Sequence, residues 1–107
     1  MSTNDLIFLN PLNEYIAYLA LLDEDNVKIE ETTLKYEKLD GKDALVSNDS
    51  WSYALLANGE LVLNGRHLAP YRWGTRMTRT GRIYIWIWYR YGPYAIVVSA
   101  FKREEGL

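Results

Sequence analysis

At 107 residues and 12.5 kDa the chain is long enough to bury one core and too short for two domains, so a single domain over 1–107 is expected. Hydrophobic residues make up 49% and charged residues 24%, a globular balance that excludes a disordered chain. The absence of cysteine excludes disulfide frameworks, thiolate metal sites and cysteine nucleophiles, and the single histidine, His67, is too few for a two-histidine metal centre.

Leu6–Leu9 reads as a short apolar strand. Asn10-Pro11 offers a helix start, with asparagine as cap and proline at the first helical position. Leu12, Tyr15, Ile16, Leu19 and Leu22 follow at helical spacing, which predicts a helix over 11–22 with one buried face. Asp23-Glu24-Asp25 ends it; three acids oppose the dipole at a helix C-terminus, so the cluster opens the next element or sits in solvent. Between Val27 and Leu39 a helical stripe through Val27 and Leu34 is thin, whereas Val27 with Ile29 and Leu34 with Tyr36 alternate, so this segment leans to extended structure. Asp40–Ser50 is polar and turn-rich and reads as a loop.

Trp51–Ala57, Glu60–Leu63 and Arg66–Ala69 read as strands joined at Asn58-Gly59 and Asn64-Gly65, because both residues of an Asn-Gly pair tolerate the positive φ of a tight hairpin. Tyr71–Gly81 lacks periodicity and reads as a flexible loop or irregular strand. Arg82–Tyr91 and Tyr94–Arg103 form the clearest unit, a long hairpin turning at Gly92-Pro93. In its first strand Ile83, Ile85 and Ile87 point one way and Tyr84, Trp86, Trp88 and Arg90 the other. The isoleucine face is expected to meet the N-terminal helix. The expected fold is therefore α+β: a twisted antiparallel sheet of about four to six strands with one or two N-terminal helices on one face.

Charge is divided along the chain. Residues 1–60 carry twelve acids against four lysines, a net charge of −8. Residues 61–103 carry eight basic residues and no acid, a net charge of +8, and hold all seven arginines. Nine of the fifteen aromatic residues lie between Tyr71 and Phe101. Guanidinium groups interleaved with rings suit single-stranded nucleic acid, since cations follow the phosphates and rings stack on bases. The candidate binding residues are Arg66, Tyr71, Arg72, Trp73, Arg76, Arg79, Arg82, Tyr84, Trp86, Trp88 and Arg90. The bland alternative is that the acidic half neutralises the basic half while the aromatics fill the core.

Catalytic patterns are sparse. His67 beside Arg66 is a weak candidate for acid–base chemistry on RNA. The carboxylate pairs (Glu30-Glu31 and Asp23-Glu24-Asp25) read as solvated, Gly74 and Gly81 make no phosphate loop, and Ser52 and Ser99 lack a nucleophile-elbow context. The stretch from Gly81 through Ile83, Tyr84, Trp86 and Trp88 to Arg90, followed by Ile96-Val97-Val98 and Phe101-Lys102-Arg103, resembles the C-terminal hairpin of RelE/HigB-type ribosome-dependent ribonuclease toxins. That resemblance covers about 25 residues. It implies a small β-α-α-β domain whose sheet presents arginine, lysine, tyrosine or histidine to RNA. The chain departs from the family in its acidic pI of about 5.3 and its lack of a clear second helix.

The function expected from these residues is that of a non-enzymatic binding protein contacting RNA, single-stranded DNA or a nucleoprotein, with no cofactor and no metal. Two alternatives stay open: a protein-interaction module (regulator, inhibitor or homodimer) burying the same aromatic face, and a RelE-like ribonuclease. Residues 1–10 lack the basic flank and long apolar run of a secretory leader, and Ile83–Tyr89 and Ala95–Val98 are too short to span a bilayer as helices, so a cytoplasmic location away from membranes is expected. The absence of glutamine is what a thermophilic source produces, while seven asparagines point the other way.

Overall fold

The computed structural model describes residues 9, 11–47 and 52–103. Nine strands are formed by these residues: β1 (Tyr15–Leu22), β2 (Lys28–Leu39), β3 (Lys42–Val46), β4 (Tyr53–Leu56), β5 (Leu61–Leu63), β6 (Arg66–Leu68), β7 (Arg72–Met77), β8 (Ile83–Tyr91) and β9 (Tyr94–Lys102). They make one antiparallel sheet in the order β6-β5-β4-β3-β2-β1-β9-β8-β7, curled into a half-barrel. The helical content of the described residues is a single 3-10 turn at Leu12–Glu14.

The α+β expectation is thus overturned. No helix forms over 11–22. Pro11 is extended, one turn closes through Glu14 N–H donating to the Pro11 carbonyl at 3.1 Å, and Tyr15 returns to extended geometry (φ −113°, ψ 147°). The reason lies in the residues that follow. Tyr15–Leu22 (YIAYLALL) is apolar or aromatic throughout, so its side chains satisfy a period of 2 as readily as one of 3.6. In the fold Tyr15, Ala17, Leu19 and Leu21 are buried, and the alternate residues line the opposite face. Ladder partners on both flanks, β2 and β9, override a helix propensity worth only tenths of a kcal/mol per residue.

Further corrections follow from the same pairing. The polar loop expected over 40–50 contains strand β3, entered by a two-residue turn in which Asp40 (φ 50°) and Gly41 (φ 80°) both take left-handed geometry. The irregular stretch 71–81 holds a regular strand, β7. The apolar strand expected at Leu6–Leu9 and the start of the strand at Trp51 lie outside the described residues, apart from Leu9, which is buried without strand pairing. By contrast β2, the Asn-Gly turns on either side of β5 and the β8–β9 hairpin form where the residues point to them.

The long strand β2 divides the sheet into two leaves. Its first part pairs with β1 as far as Leu34 opposite Ala17, and its second part pairs with β3 from Lys35 opposite Val46. One leaf is therefore β7-β8-β9-β1 with the start of β2, and the other is the end of β2 with β3-β4-β5-β6. The core fills the space between them: Leu19, Leu21, Ile85, Ile87, Tyr89, Ile96 and Val98 from the first leaf meet Leu45, Tyr53, Leu55, Leu61 and Leu63 from the second. The isoleucine face of β8 thus packs on the opposite leaf and not on a helix. With nine strands and antiparallel pairs throughout, the edge strands β6 and β7 run in the same direction. Only residues 69–71 join them, so the chain passes from one leaf edge to the other without turning back. Tyr89 ties the leaves, its buried hydroxyl donating to the Gly59 carbonyl at 2.7 Å, and the Arg66 guanidinium sits 5.7 Å from the centre of the Tyr91 ring. Burial pushes the Tyr89 hydroxyl pKa far up. No helix among the described residues is long and apolar enough to cross a membrane.

Candidate functional site

Alternation along β7, β8, β9 and β1 gives the first leaf two contrasting faces. The inner face is the core. On the outer face the register aligns side chains in rows that cross all four strands: Arg72–Trp88–Val97–Ala20, then Gly74–Trp86–Ser99–Tyr18, then Arg76–Tyr84–Phe101–Ile16. Above the first row stand Arg90, Ala95 and Leu22. Across these four strands the rows contain arginines, rings and small or apolar residues, with no carboxylate and no histidine; one strand further, on β2, Glu31 stands opposite Ala20 and Thr33 opposite Tyr18. Tyr84, Trp86, Trp88 and Phe101 are half-buried by their neighbours, while Arg72, Arg76 and Arg90 are exposed and Tyr18 is 43% exposed.

Packing within the face is specific. Gly74 lies directly beneath Trp86, where any β-carbon would collide with the indole, so the bare backbone of β7 is what lets that ring lie down across the sheet. Tyr84 stacks on Phe101 with centroids 4.7 Å apart and planes 25° from parallel, and Tyr18 meets the same phenyl ring edge-on at 6.4 Å. Guanidinium groups overlie the rings: Arg90 at 4.7 Å from the Tyr71 centroid, Arg82 at 5.5 Å from Phe101 and Arg72 at 5.7 Å from Trp86. Arg82 is fixed from the β7–β8 turn, its Nε donating to the Lys102 carbonyl and its backbone N–H to Thr78 Oγ1, each at 3.0 Å.

The electrostatics follow from what these arginines do not meet. Ion pairs among the described residues join Lys28 to Glu31, Lys38 to Asp43 and Lys102 to Glu14, and His67 contacts Glu60; none of these involves an arginine. The guanidinium groups of Arg72, Arg82 and Arg90 lie next to rings, and Arg72, Arg76 and Arg90 are exposed. A partner would therefore meet arginines that no carboxylate among the described residues pairs, on a partly apolar floor.

Of the residues singled out in the sequence, Arg72, Arg76, Arg82, Tyr84, Trp86, Trp88 and Arg90 come together on this face, with Tyr71 against Arg90 at its upper end. Arg79 is exposed in the turn below it. Two are not brought there. Trp73 points inward and packs against the core, because it alternates with Arg72 and Gly74. Arg66 lies on β6, across the core on the second leaf, over Tyr91. His67 also belongs to that leaf, opposite Val62, with its Nδ1 3.2 Å from Glu60 Oε1, and so stands apart from the arginine rows. Two members of the face were missed. Phe101 continues the period-2 pattern of Val97 and Ser99, a signal present in the sequence, whereas Tyr18 was hidden by the helical spacing of its segment.

The arrangement can hold a planar or anionic ligand; it offers no proton-transfer pair. Among the described residues no group of three or more histidines and carboxylates could hold a metal ion. The two helices implied by the toxin-like hairpin are absent from the described residues, where strands occupy the whole sheet. No family model, curated protein or solved structure matches this chain.

Proposed function

We propose that the protein is a non-enzymatic module that binds single-stranded nucleic acid on the outer face of β7, β8, β9 and β1. One observation carries this: the arginines of that face share no ion pair with a carboxylate among the described residues, and they stand beside half-exposed rings in register. Arg72, Arg76, Arg82 and Arg90 would neutralise phosphates, and Tyr84, Trp86, Trp88 and Phe101 would receive bases. From Tyr84 to Trp88 the platform runs ~13 Å at ~3.3 Å per residue, the reach of a few nucleotides. Its sequence preference would be weak, because every base has a π-face. A cytoplasmic setting among RNA or single-stranded DNA fits a chain that carries no cysteine.

The test is the salt dependence of oligonucleotide binding by fluorescence anisotropy. Four phosphate contacts on a single strand give a slope of about −2.8 in log K against log salt, so affinity should fall roughly 50-fold between 50 and 200 mM. A flat salt response, or no binding at low salt, refutes the proposal. The breadth of the apolar floor (Ile16, Tyr18, Ala20, Leu22 and Val97) favours a second function, a protein partner seated on the same face. Such binding would change little with salt.

A further inference from the structure

A second site lies beside this face, in the wedge where β2 leaves β1. The β1–β2 ladder stops at Ala17 and Leu34, yet β1 continues down to Tyr15 against β9 while β2 continues against β3. The two strands part below that point and leave a cavity of about 430 Å³ lined by Tyr15, Ile16, Thr33, Lys35, Tyr36 and Arg103, with Leu34 at its apex. Arg103 is anchored there, its backbone N–H donating to the Glu14 carbonyl at 2.7 Å.

Among the described residues the charge around the wedge is unbalanced. The nearby carboxylates are occupied: Glu14 by Lys102 at 3.6 Å, and Asp43 by Lys38 at 3.5 Å and by the Tyr36 hydroxyl at 2.7 Å. Glu37, the next residue of β2 on the same side as Lys35, lines a separate cavity with Leu39 and Val46. Lys35 and Arg103 have no ion-pair partner among the described residues. A cavity lined by Lys35, Arg103 and Thr33, two cationic residues without an ion-pair partner among the described residues and one hydroxyl-bearing residue, suits a compact dianion with several acceptor oxygens. The wedge also adjoins the outer face. Ile16 lines it and stands opposite Phe101, so the cavity is about two interstrand spacings, ~10 Å, from the last ring of the platform.

We propose that the wedge between β1 and β2 is a phosphomonoester site, held by Lys35 and Arg103, that takes the terminal phosphate of a strand lying on the neighbouring face. The strand-end ligand rests on the function proposed above; the phosphate site itself does not. The same dianion could come from a free nucleotide, and the experiment separates the two sources. Oligothymidylates of one length carrying a phosphate at the 5′ end, at the 3′ end or at neither would be titrated against wild type, Lys35→Met and Arg103→Met, with thymidine monophosphate titrated in parallel by calorimetry. One phosphorylated end should bind about tenfold more tightly than the bare strand, the worth of a good charge-assisted contact, and each variant should remove that gain while leaving bare-strand affinity unchanged. Binding of thymidine monophosphate that both variants abolish, with no binding of any oligonucleotide, would sustain the phosphate site and end the nucleic-acid function. Equal affinity for all three strands in wild type, or a gain that survives both substitutions, overturns the wedge site and leaves the outer face untouched.

Discussion

Gly74→Ala is the smallest change that interrogates the geometry of the face. An alanine β-carbon would overlap the six-membered part of the Trp86 indole, while the register fixes Gly74 opposite Trp86 through a ladder that continues on both sides. Backbone movement is therefore costly, and the ring must yield. Overpacking of this kind costs about 1–3 kcal/mol, and the lower unfolded-state entropy of alanine returns about 0.4–1 kcal/mol, so a net loss of up to about 2.6 kcal/mol, centred on about 1.3 kcal/mol, is expected. For a domain of this length the central value lowers Tm by about 5–10 °C. Urea unfolding followed by circular dichroism measures the stability, and the native tryptophan emission reports whether the indole has lifted from β7 into water. Thr75→Ala, exposed one position along the same strand, is the control and should stay within about 0.5 kcal/mol of wild type. Should Gly74→Ala match its control in stability and keep the wild-type emission, Trp86 does not lie across β7 and the planar platform is wrong.

Other consequences can be measured on the same preparations. Tyr89→Phe removes the hydroxyl that joins the leaves and strands the buried Gly59 carbonyl, so it should cost about 1–3 kcal/mol in urea unfolding, whereas Tyr36→Phe, at an exposed hydrogen bond, should cost much less. Burial raises the Tyr89 pKa, so its hydroxyl stays neutral in the fold while an unfolded tyrosine ionises above about pH 10; stability should hold below that pH and decline as pH rises beyond it, with a shallower decline in Tyr89→Phe. Desolvation at Tyr15 and the Asp43 hydrogen bond at Tyr36 raise those pKa values too and act in the same direction. Arg76→Met, which removes one exposed guanidinium from the third row, should reduce the salt slope of oligonucleotide binding by about 0.7 with little effect on folding.

How much was legible in the sequence depended on whether a segment's pattern admitted one period or two. β8 alternates isoleucine with ring or arginine, which only a strand satisfies, and its two faces lie where that pattern puts them. Asn58-Gly59 and Asn64-Gly65 marked hairpins because the chemistry of positive φ is local. Asp40-Gly41 carries the same chemistry, and the polar residues around it concealed strand β3 even though Ala44 and Leu45 are fully buried. β1 was illegible for another reason. Nothing within YIAYLALL separates helix from strand; the decision is made by β9 and β2, one of them more than 70 residues away in sequence. The site inherited that limit. The arginines and indoles of β7 and β8 were visible, but Tyr18 and Ile16 join them only through the β1–β9 ladder, and Trp73 was drawn inward once residues 72–77 proved to be a regular strand.

The composition of β8 separates what folding requires from what it does not. Burial on the inner side accounts for Ile85, Ile87 and Tyr89, and truncating a residue such as Ile87 to alanine in a packed core costs about 2–5 kcal/mol. An outer row that merely faced water would be served by threonine, a polar residue that strands favour. Instead it carries Tyr84, Trp86 and Trp88 between Arg72, Gly74 and Arg76 on β7 and Val97, Ser99 and Phe101 on β9. If those rings serve a ligand, stability and binding are written on opposite faces of one strand and can be varied separately. Trp88→Thr keeps β-branching at its site while deleting one ring. It should lower stability by no more than about 1 kcal/mol and weaken oligonucleotide binding by about 1–3 kcal/mol, roughly 5- to 150-fold. A Trp88→Thr protein that unfolds as readily as Ile87→Ala, yet binds as wild type does, would mean that the outer row is a second core and that the arginines beside it serve only the fold.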